Sequence, residues 1–102
     1  YQVALQYGTT AGTFGEVRST GTSYMEFLSD DANQNRNGYM YLYDLGDSSK
    51  YSFSTNLQMQ ESKMTFGSNV YKVADTINAI QVLSTNTNNW TGTISLYGHA
   101  KG

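Results

Sequence analysis

The chain has 102 residues, a formal net charge of −2, ten glycines and nine tyrosines, with neither proline nor cysteine. This length is typical of a single domain with a modest core, and the lack of cysteine excludes a disulfide framework and thiolate chemistry. The six Lys and Arg residues are scattered along the sequence. We therefore expect no nucleic-acid partner and no anionic membrane surface as a partner.

The composition and the first residue bear on the class of the protein. Tyr, Thr, Val, Ile and Phe are frequent, which favours strands over long exposed helices. No apolar run approaches the roughly 20 residues of a membrane-spanning helix. Because the sequence begins with Tyr1 rather than Met, we expect that an N-terminal piece was removed or lies outside it. Residues 1–102 are treated as one domain.

The first third of the chain predicts three short strands, at residues 2–7, 14–18 and 23–28. In the first of them Val3, Leu5 and Tyr7 share one face. A Gly/Thr turn at residues 8–15 separates the first two strands.

Residues 39–45 predict a strand with bulky groups on both faces. Tyr39, Tyr41 and Tyr43 share one face, and Met40 and Leu42 share the other. Two interpretations remain open, because the strand could be central in a sheet or its tyrosine face could meet another surface.

Residues 51–60 show the most regular alternation of the chain, with a period of two over ten residues. This is typical of a strand with one face buried and one in water. The expected buried set is Tyr51, Phe53, Leu57 and Met59, and the expected wet set is Ser52, Ser54, Asn56, Gln58 and Gln60.

The rest of the chain predicts four more strands, at residues 62–66, 70–73, 77–84 and 93–97. A hairpin turn is expected at Gly67, Ser68 and Asn69, since Gly and Asn tolerate positive φ. In the last strand we expect Ile94 and Leu96 to point inward.

Together these elements predict an all-β fold, an antiparallel β-sandwich that is jelly-roll-like and has about eight short strands. Proline is absent and only 14% of residues are charged, so the usual devices that protect sheet edges are scarce. We therefore expect an oligomer or a component of an assembly.

Catalytic, cofactor and metal sites are not expected. His99 is the single histidine and lies near the end of the chain. The acidic pairs Asp30 with Asp31 and Asp44 with Asp47 lie in polar loops, where burial of a catalytic acid is not expected. The alternative is a calcium loop on EF-hand-like spacing, which would use Asn33, Asn35, Asn37, Gly38 and Asp44.

Aromatic side chains are the remaining candidates for binding. Three interpretations stay open, namely strand packing, a protein interface and stacking on a glycan. The interface or ligand candidates are Tyr39, Tyr41, Tyr43, Trp90 and Tyr97.

The last third of the chain resembles short virion proteins of tailed phages. Residues 77–82 (INAIQV), a polar loop and residues 90–98 (WTGTISLYG) are similar to the closing strands of that group. His99 replaces an apolar residue that is usual there. The resemblance implies a jelly-roll-like sandwich on a virion with no catalytic residues. It implies a capsid decoration (cement) protein that binds the major capsid protein and itself, with a trimer favoured. The alternative is a tail-fibre module that recognises a host glycan.

Overall fold

The computed structural model describes residues 1–26, 35–83 and 91–98. In these ranges the protein is all-β and consists of one antiparallel sheet with the strand order β2-β1-β5-β4-β3. No helix that could cross a membrane is found in the described ranges. The strands are β1 (Gln2–Thr9), β2 (Phe14–Ser19), β3 (Arg36–Tyr43), β4 (Ser52–Gln60) and β5 (Lys63–Tyr71).

Short connections join three neighbouring pairs of strands, and the one between β4 and β5 consists of residues 61–62. β1 and β2 are joined by a turn in which the Thr9 N–H donates to the Thr13 carbonyl at 2.9 Å, and Gly12 takes φ 83°. β3 and β4 are joined by residues 44–51, where Asp44 takes φ 61°. β1 and β5, the first and last strands in chain order, also pair with each other, so this pairing joins residues far apart in sequence.

Four of the predicted strands are confirmed as β1, β2, β3 and β4, and the two strands predicted at residues 62–66 and 70–73 form the single strand β5. The hairpin predicted at residues 67–69 is wrong, because β5 runs straight through it. Gly67 lets the backbones of β5 and β1 approach each other closely. A Cβ at this position would lie 2.7 Å from Leu5 Cα and would also meet the Ala4 carbonyl. Its φ of 155° is also a conformation that favours glycine.

The predicted strands near the C-terminus are not found among the described residues. Residues 77–83 and 93–97 form no strand, and residues 23–26 form none either. The inward placement of Ile94 and Leu96 is wrong, since they are 55% and 75% exposed. Alternating apolar and polar side chains show that a segment can form a strand. Whether another strand lies beside it depends on the tertiary structure. The predicted residues 27–28 and 84 lie outside the described ranges.

One face of the sheet, here called the inner face, is buried and is largely polar. Val3 and Leu5 of β1 are its only buried apolar side chains among the described residues. The buried polar side chains are Ser52, Ser54, Asn56, Gln58, Thr65 and Asn69. The alternation predicted for residues 51–60 is confirmed, but the predicted burial is reversed, because the polar side chains of β4 face inward.

Asn69 connects the inner face to the segment that follows β2. Its side-chain oxygen accepts from the Glu26 N–H at 3.0 Å, and its amide nitrogen donates to the Glu26 carbonyl at 3.0 Å. The same nitrogen donates to Ser54 Oγ at 3.0 Å. Asn69 therefore satisfies both main-chain groups of Glu26 as a neighbouring strand would, and it holds residue 26 against the sheet.

Other polar groups of the inner face are buried without a hydrogen bond to the described residues. They are Ser52 Oγ, Thr65 Oγ1 and both polar atoms of Gln58. Gln58 lies directly opposite Thr65 in the register of β4 and β5, and both are at most 2% exposed. These groups oppose folding, since desolvating an unpaired polar group costs about 1–3 kcal/mol.

β3 is an edge strand of the described sheet, so the interpretation that places residues 39–45 centrally is wrong. The strand extends from Arg36 to Tyr43 and carries one charged residue, Arg36. Its outward face bears the three tyrosines, so the main question about function is what binds to that face.

Candidate interaction surface

The outward faces of β3, β4 and β5 form one continuous surface, here called the aromatic face. It lies on the side of the sheet opposite the inner face and contains no charged residue. Its members are Tyr39, Tyr41, Tyr43, Phe53, Leu57, Met59, Met64, Phe66 and Val70.

Strand register places these side chains in rows across the three strands. Tyr39 pairs with Leu57, and Leu57 pairs with Phe66. In another row, Tyr43 pairs with Phe53, which pairs with Val70. Residues directly opposite in a ladder share a face, so these two rows place bulky apolar groups on one side, and the row between them consists of Tyr41, Thr55 and Ser68.

The tyrosines of β3 remain accessible. Tyr39, Tyr41 and Tyr43 are 52%, 50% and 47% exposed. The rings of Tyr39 and Tyr41 pack edge to face with centroids 5.4 Å apart. The hydroxyl of Tyr43 lies 3.3 Å from Thr55 Oγ1, which fixes the ring at one end of the face. The rings are therefore ordered by their neighbours, and about half of each side chain remains exposed.

The aromatic face ends where the sheet continues into β1 and β2. The outward residues there include Ala4, Gln6, Glu16 and Arg18, and the exposed ring of Phe14 at the start of β2 is the apolar exception. Arg18 Nε and a Glu16 carboxylate oxygen lie 3.5 Å apart, with both side chains exposed. The same side of one sheet is thus divided into an apolar half and a wet half, as at the boundary of a binding surface.

The aromatic face is large for a surface in water. Five aromatic side chains at about half exposure contribute on the order of 500 Å², since a large ring covers about 150–250 Å². The two exposed methionines, Met59 and Met64, raise the area to about 700 Å². The largest apolar patch of a typical monomer is about 300–600 Å², and larger patches mark binding sites.

A second apolar feature is the segment after β5, here called the arm, described at residues 72–83 and 91–98. Its side chains face solvent, and at residues 77–83 and 91–98 it carries no charge. The Ile77 N–H donates to the Leu45 carbonyl at 2.7 Å, which holds the start of the arm beside the end of β3. The exposed apolar side chains of the arm are Val73, Ile80, Val82, Leu83, Ile94, Leu96 and Tyr97.

The structure brings together three of the five candidates named from the sequence. Tyr39, Tyr41 and Tyr43 form the β3 row of the aromatic face, whereas Tyr97 belongs to the arm and is 80% exposed. Trp90 lies outside the described residues. Sequence reasoning missed Phe53 and Phe66, although the alternation around Phe53 was visible, because apolar alternate residues were assigned to a core.

The calcium-loop alternative does not fit the described residues. Asn37 and Gly38 lie within β3, and Asp44 follows the opposite end of that strand. A strand of eight residues separates them by more than 20 Å, since each residue advances the chain by about 3.3 Å. No group of three or more His, Cys, Asp or Glu that could hold a metal is found in the described ranges. Asn33, Asp30, Asp31 and His99 lie outside those ranges.

A shallow open depression lies at one end of the aromatic face, lined by Asp44, Ser49, Lys50, Tyr51 and Phe53. Asp47 belongs to the same connection, where Ser49 Oγ donates to Asp47 Oδ1 at 2.6 Å and the Ser49 N–H donates to it at 2.9 Å. These bonds, aided by Lys50 at 3.5 Å, lower the pKa of Asp47 below its ordinary value of 3.8. Asp47 is therefore an ionised turn residue and unsuited to act as a general acid.

Comparison of the chain with protein families, with characterised proteins and with solved structures finds no match.

Proposed function

We propose that this chain is a non-catalytic structural protein of a bacteriophage virion. In this proposal it is a capsid decoration (cement) protein that stabilises the head by binding major capsid subunits on the capsid surface. The single observation that carries the proposal is the aromatic face, an uncharged surface of about 700 Å² left in water.

The residue types of the aromatic face suit a protein interface. Tyr, Phe and Met are enriched at the centres of such interfaces, and charged residues are depleted there. Tyrosine provides a large contact area with few rotatable bonds, so its ordering costs little entropy. The phage setting comes from the resemblance of residues 77–82 and 90–98 to closing strands of tailed-phage virion proteins.

The finer architecture of the proposal is a two-layer sandwich with jelly-roll-like connections. A single sheet with one apolar side needs a second layer, and in a sandwich two such sides pack about 10 Å apart. β3 is an edge strand of the described sheet, adjoins the aromatic face and can pair with a strand from a neighbouring subunit. A homotrimer that contacts several capsid subunits uses both features.

The proposal is tested by locating and then removing the protein in virions. Particles that carry a tagged copy of the chain should show the tag on the head in electron micrographs. Particles that lack the chain should lose their genome at lower temperature, and addition of the purified chain should restore heat resistance. A tag found only at the tail tip, or heads with unchanged heat resistance, would contradict the proposal.

A second candidate is a tail-fibre module that recognises a host surface glycan. It is favoured by the depression beside Phe53, where Tyr51 lies next to the polar side chains of Asp44, Ser49 and Lys50. Sugars bind where aromatic rings meet hydrogen-bonding groups. We expect Tyr41→Ala and Tyr51→Ala to reduce phage adsorption if this candidate holds. Unchanged adsorption together with a glycan array without hits would exclude it.

A further inference from the structure

We infer that the aromatic face is covered by the arm of a second copy of this chain. The inference deepens the proposed function by naming the partner of that face. It rests on the proposal that the face is a protein interface, and it does not require a particular place in the virion.

The first observation is an excess of exposed surface. The chain exposes 7625 Å². A compact monomer of 11.3 kDa exposes about 5,700 Å² by the scaling of area with mass. The excess of about 1,900 Å² on one chain is roughly twice the 800 Å² that each partner buries in a standard protein interface, which is the area of two interfaces per copy. The chain therefore exposes more surface than one copy needs, by the amount that association between copies would bury.

The second observation is that the chain contains two uncovered features that complement each other. The aromatic face is a pleated, mainly apolar surface that ends at β3, an edge strand of the described sheet. At residues 77–83 and 91–98 the arm is uncharged and lies outside the sheet, and its apolar side chains alternate along the sequence, as at Ile80 with Val82 and at Ile94 with Leu96. An extended segment with a period of two is what packs on a sheet or joins its edge.

The third observation shows that the arm of the same copy does not cover the face. Tyr39, Phe53 and Phe66 are 52%, 44% and 45% exposed although the arm is part of the chain. The bond from the Ile77 N–H to the Leu45 carbonyl holds the arm beside the end of β3, while Ile80 and Val82 beyond it face solvent. The arm is thus placed to reach a neighbour.

The lack of charge on the aromatic face and on residues 77–83 and 91–98 of the arm favours a protein partner. A nucleic acid or an anionic membrane would need Lys and Arg, and neither the aromatic face nor residues 77–83 and 91–98 contain them. Contacts in which the arm of each copy lies on the face of the next are heterologous, and such contacts form a ring when the rotation between neighbouring copies closes. A ring of three would agree with the trimer that the resemblance implies.

The first experiment measures the mass of the purified chain by light scattering after gel filtration, without any phage particle. We expect a mass of two or more times the 11.3 kDa of one chain at a protein concentration of about 100 µM. A single-chain mass at that concentration would overturn the inference and would leave the location of the protein on the head untouched. Conversely, an oligomer that is absent from virions would overturn the proposed function and leave this inference standing.

The second experiment alters each feature with a matched control. Tyr39→Glu charges the face, and its control is Gln6→Glu on the wet half of the same side. Leu96→Glu charges the arm, and its control is Ser95→Glu on the adjacent residue. We expect both test variants to run as monomers and both controls to keep the wild-type mass, with the sheet signal in circular dichroism retained. Test variants that keep the wild-type mass would overturn the inference.

Mixing the two test variants shows whether the contact passes between copies. The Leu96→Glu chain keeps an intact face and the Tyr39→Glu chain keeps an intact arm, so one contact can form between them. We expect a complex with the mass of two chains. If the mixture stays monomeric, the pairing of arm and face is wrong.

A cysteine pair covers the case in which Tyr39→Glu does not fold. The chain has no native cysteine, so a Phe66→Cys chain and a Leu96→Cys chain carry one thiol each. We expect oxidation of the mixture to give a disulfide-linked pair that joins one chain of each kind. The control mixture replaces Phe66→Cys with Arg18→Cys, on β2 at the far edge of the same side of the sheet. Equal linkage in both mixtures would overturn the inference.

Discussion

The two faces of the sheet are built from the same strands and differ in what covers them. The inner face is polar along β4 and β5 and is buried, with Ser54 and Gln58 inaccessible to solvent. The aromatic face, one residue away along each strand, is apolar and remains in water. The difference teaches that the polarity of a strand face does not by itself decide its burial.

Hydrogen bonding accounts for part of this arrangement. The inner face is held closed by Asn69, which binds the main chain of Glu26 and so brings residue 26 onto the sheet. The aromatic face has no such partner among the described residues of its own chain. We therefore regard the inner face as the inside of the subunit and the aromatic face as its contact surface.

The largest effect is expected from Gly67→Ala at the centre of the inner face. The added Cβ meets the backbone of β1, 2.7 Å from Leu5 Cα, and φ 155° strains any L side chain. We expect a loss of about 4 kcal/mol in the free energy of unfolding, measured by urea denaturation. Gly46→Ala is the control, because a Cβ there meets nothing within 4 Å. Equal losses in both variants would show that close approach of β1 and β5 is not the cause.

Asn69→Ala tests the bond that closes the inner face. The change removes three hydrogen bonds and leaves the Glu26 N–H without its partner. We expect a loss of about 3 kcal/mol in the free energy of unfolding. Ser68→Ala, on the exposed side of the same strand, should cost less than about 0.5 kcal/mol. If the two variants were equally stable, the two faces would not differ as described.

Gln58→Met tests the unpaired polar groups and should change stability in the opposite direction. Gln58 is fully buried, and neither of its polar atoms has a hydrogen-bond partner among the described residues. Methionine keeps the length of the side chain and removes the desolvation cost, so we expect a gain of about 1–2 kcal/mol. Gln6→Met, in the exposed position of β1, should give no gain. A loss at Gln58 would indicate that its amide is hydrogen-bonded in the folded protein.

The smallest effect is expected in the turn between β3 and β4, outside both faces. The hydroxyl and the N–H of Ser49 lower the pKa of Asp47, so the stability linked to this carboxylate is present above pH 3.8 and is lost as pH falls through the lowered pKa. Ser49→Ala should raise the pKa of Asp47 in a carboxylate titration by NMR. Because Asp47 is exposed, we expect no measurable change in unfolding at pH 7. A pKa that stays unchanged would contradict the hydrogen bond.

How far the fold could be predicted differs along the chain. Residues 2–7, 14–18, 39–45 and 51–60 were recognisable as strands because their alternation is local. Residues 67–69 were misread as a turn, since glycine permits both a turn and a close approach, and only the neighbouring β1 distinguishes the two. Residues 93–97 alternate equally well but are unpaired in the described structure.

The candidate site was predicted in part. Tyr39, Tyr41 and Tyr43 stand out because three bulky rings at alternate positions must share one side of a strand. Phe53 and Phe66 were not recognised as their neighbours, because the register that aligns three strands depends on contacts far apart in sequence. Whether those rings lie inside or outside could not be derived from any one strand.

The sequence by itself determined that this protein is built from strands and which side chains share a side of each strand, because successive residues of an extended chain point in opposite directions. The tertiary structure alone decided the order of the strands and which side of the sheet is covered. Both depend on contacts between distant residues, such as Asn69 with Glu26 and Gly67 with Leu5, and local alternation contains no information about them.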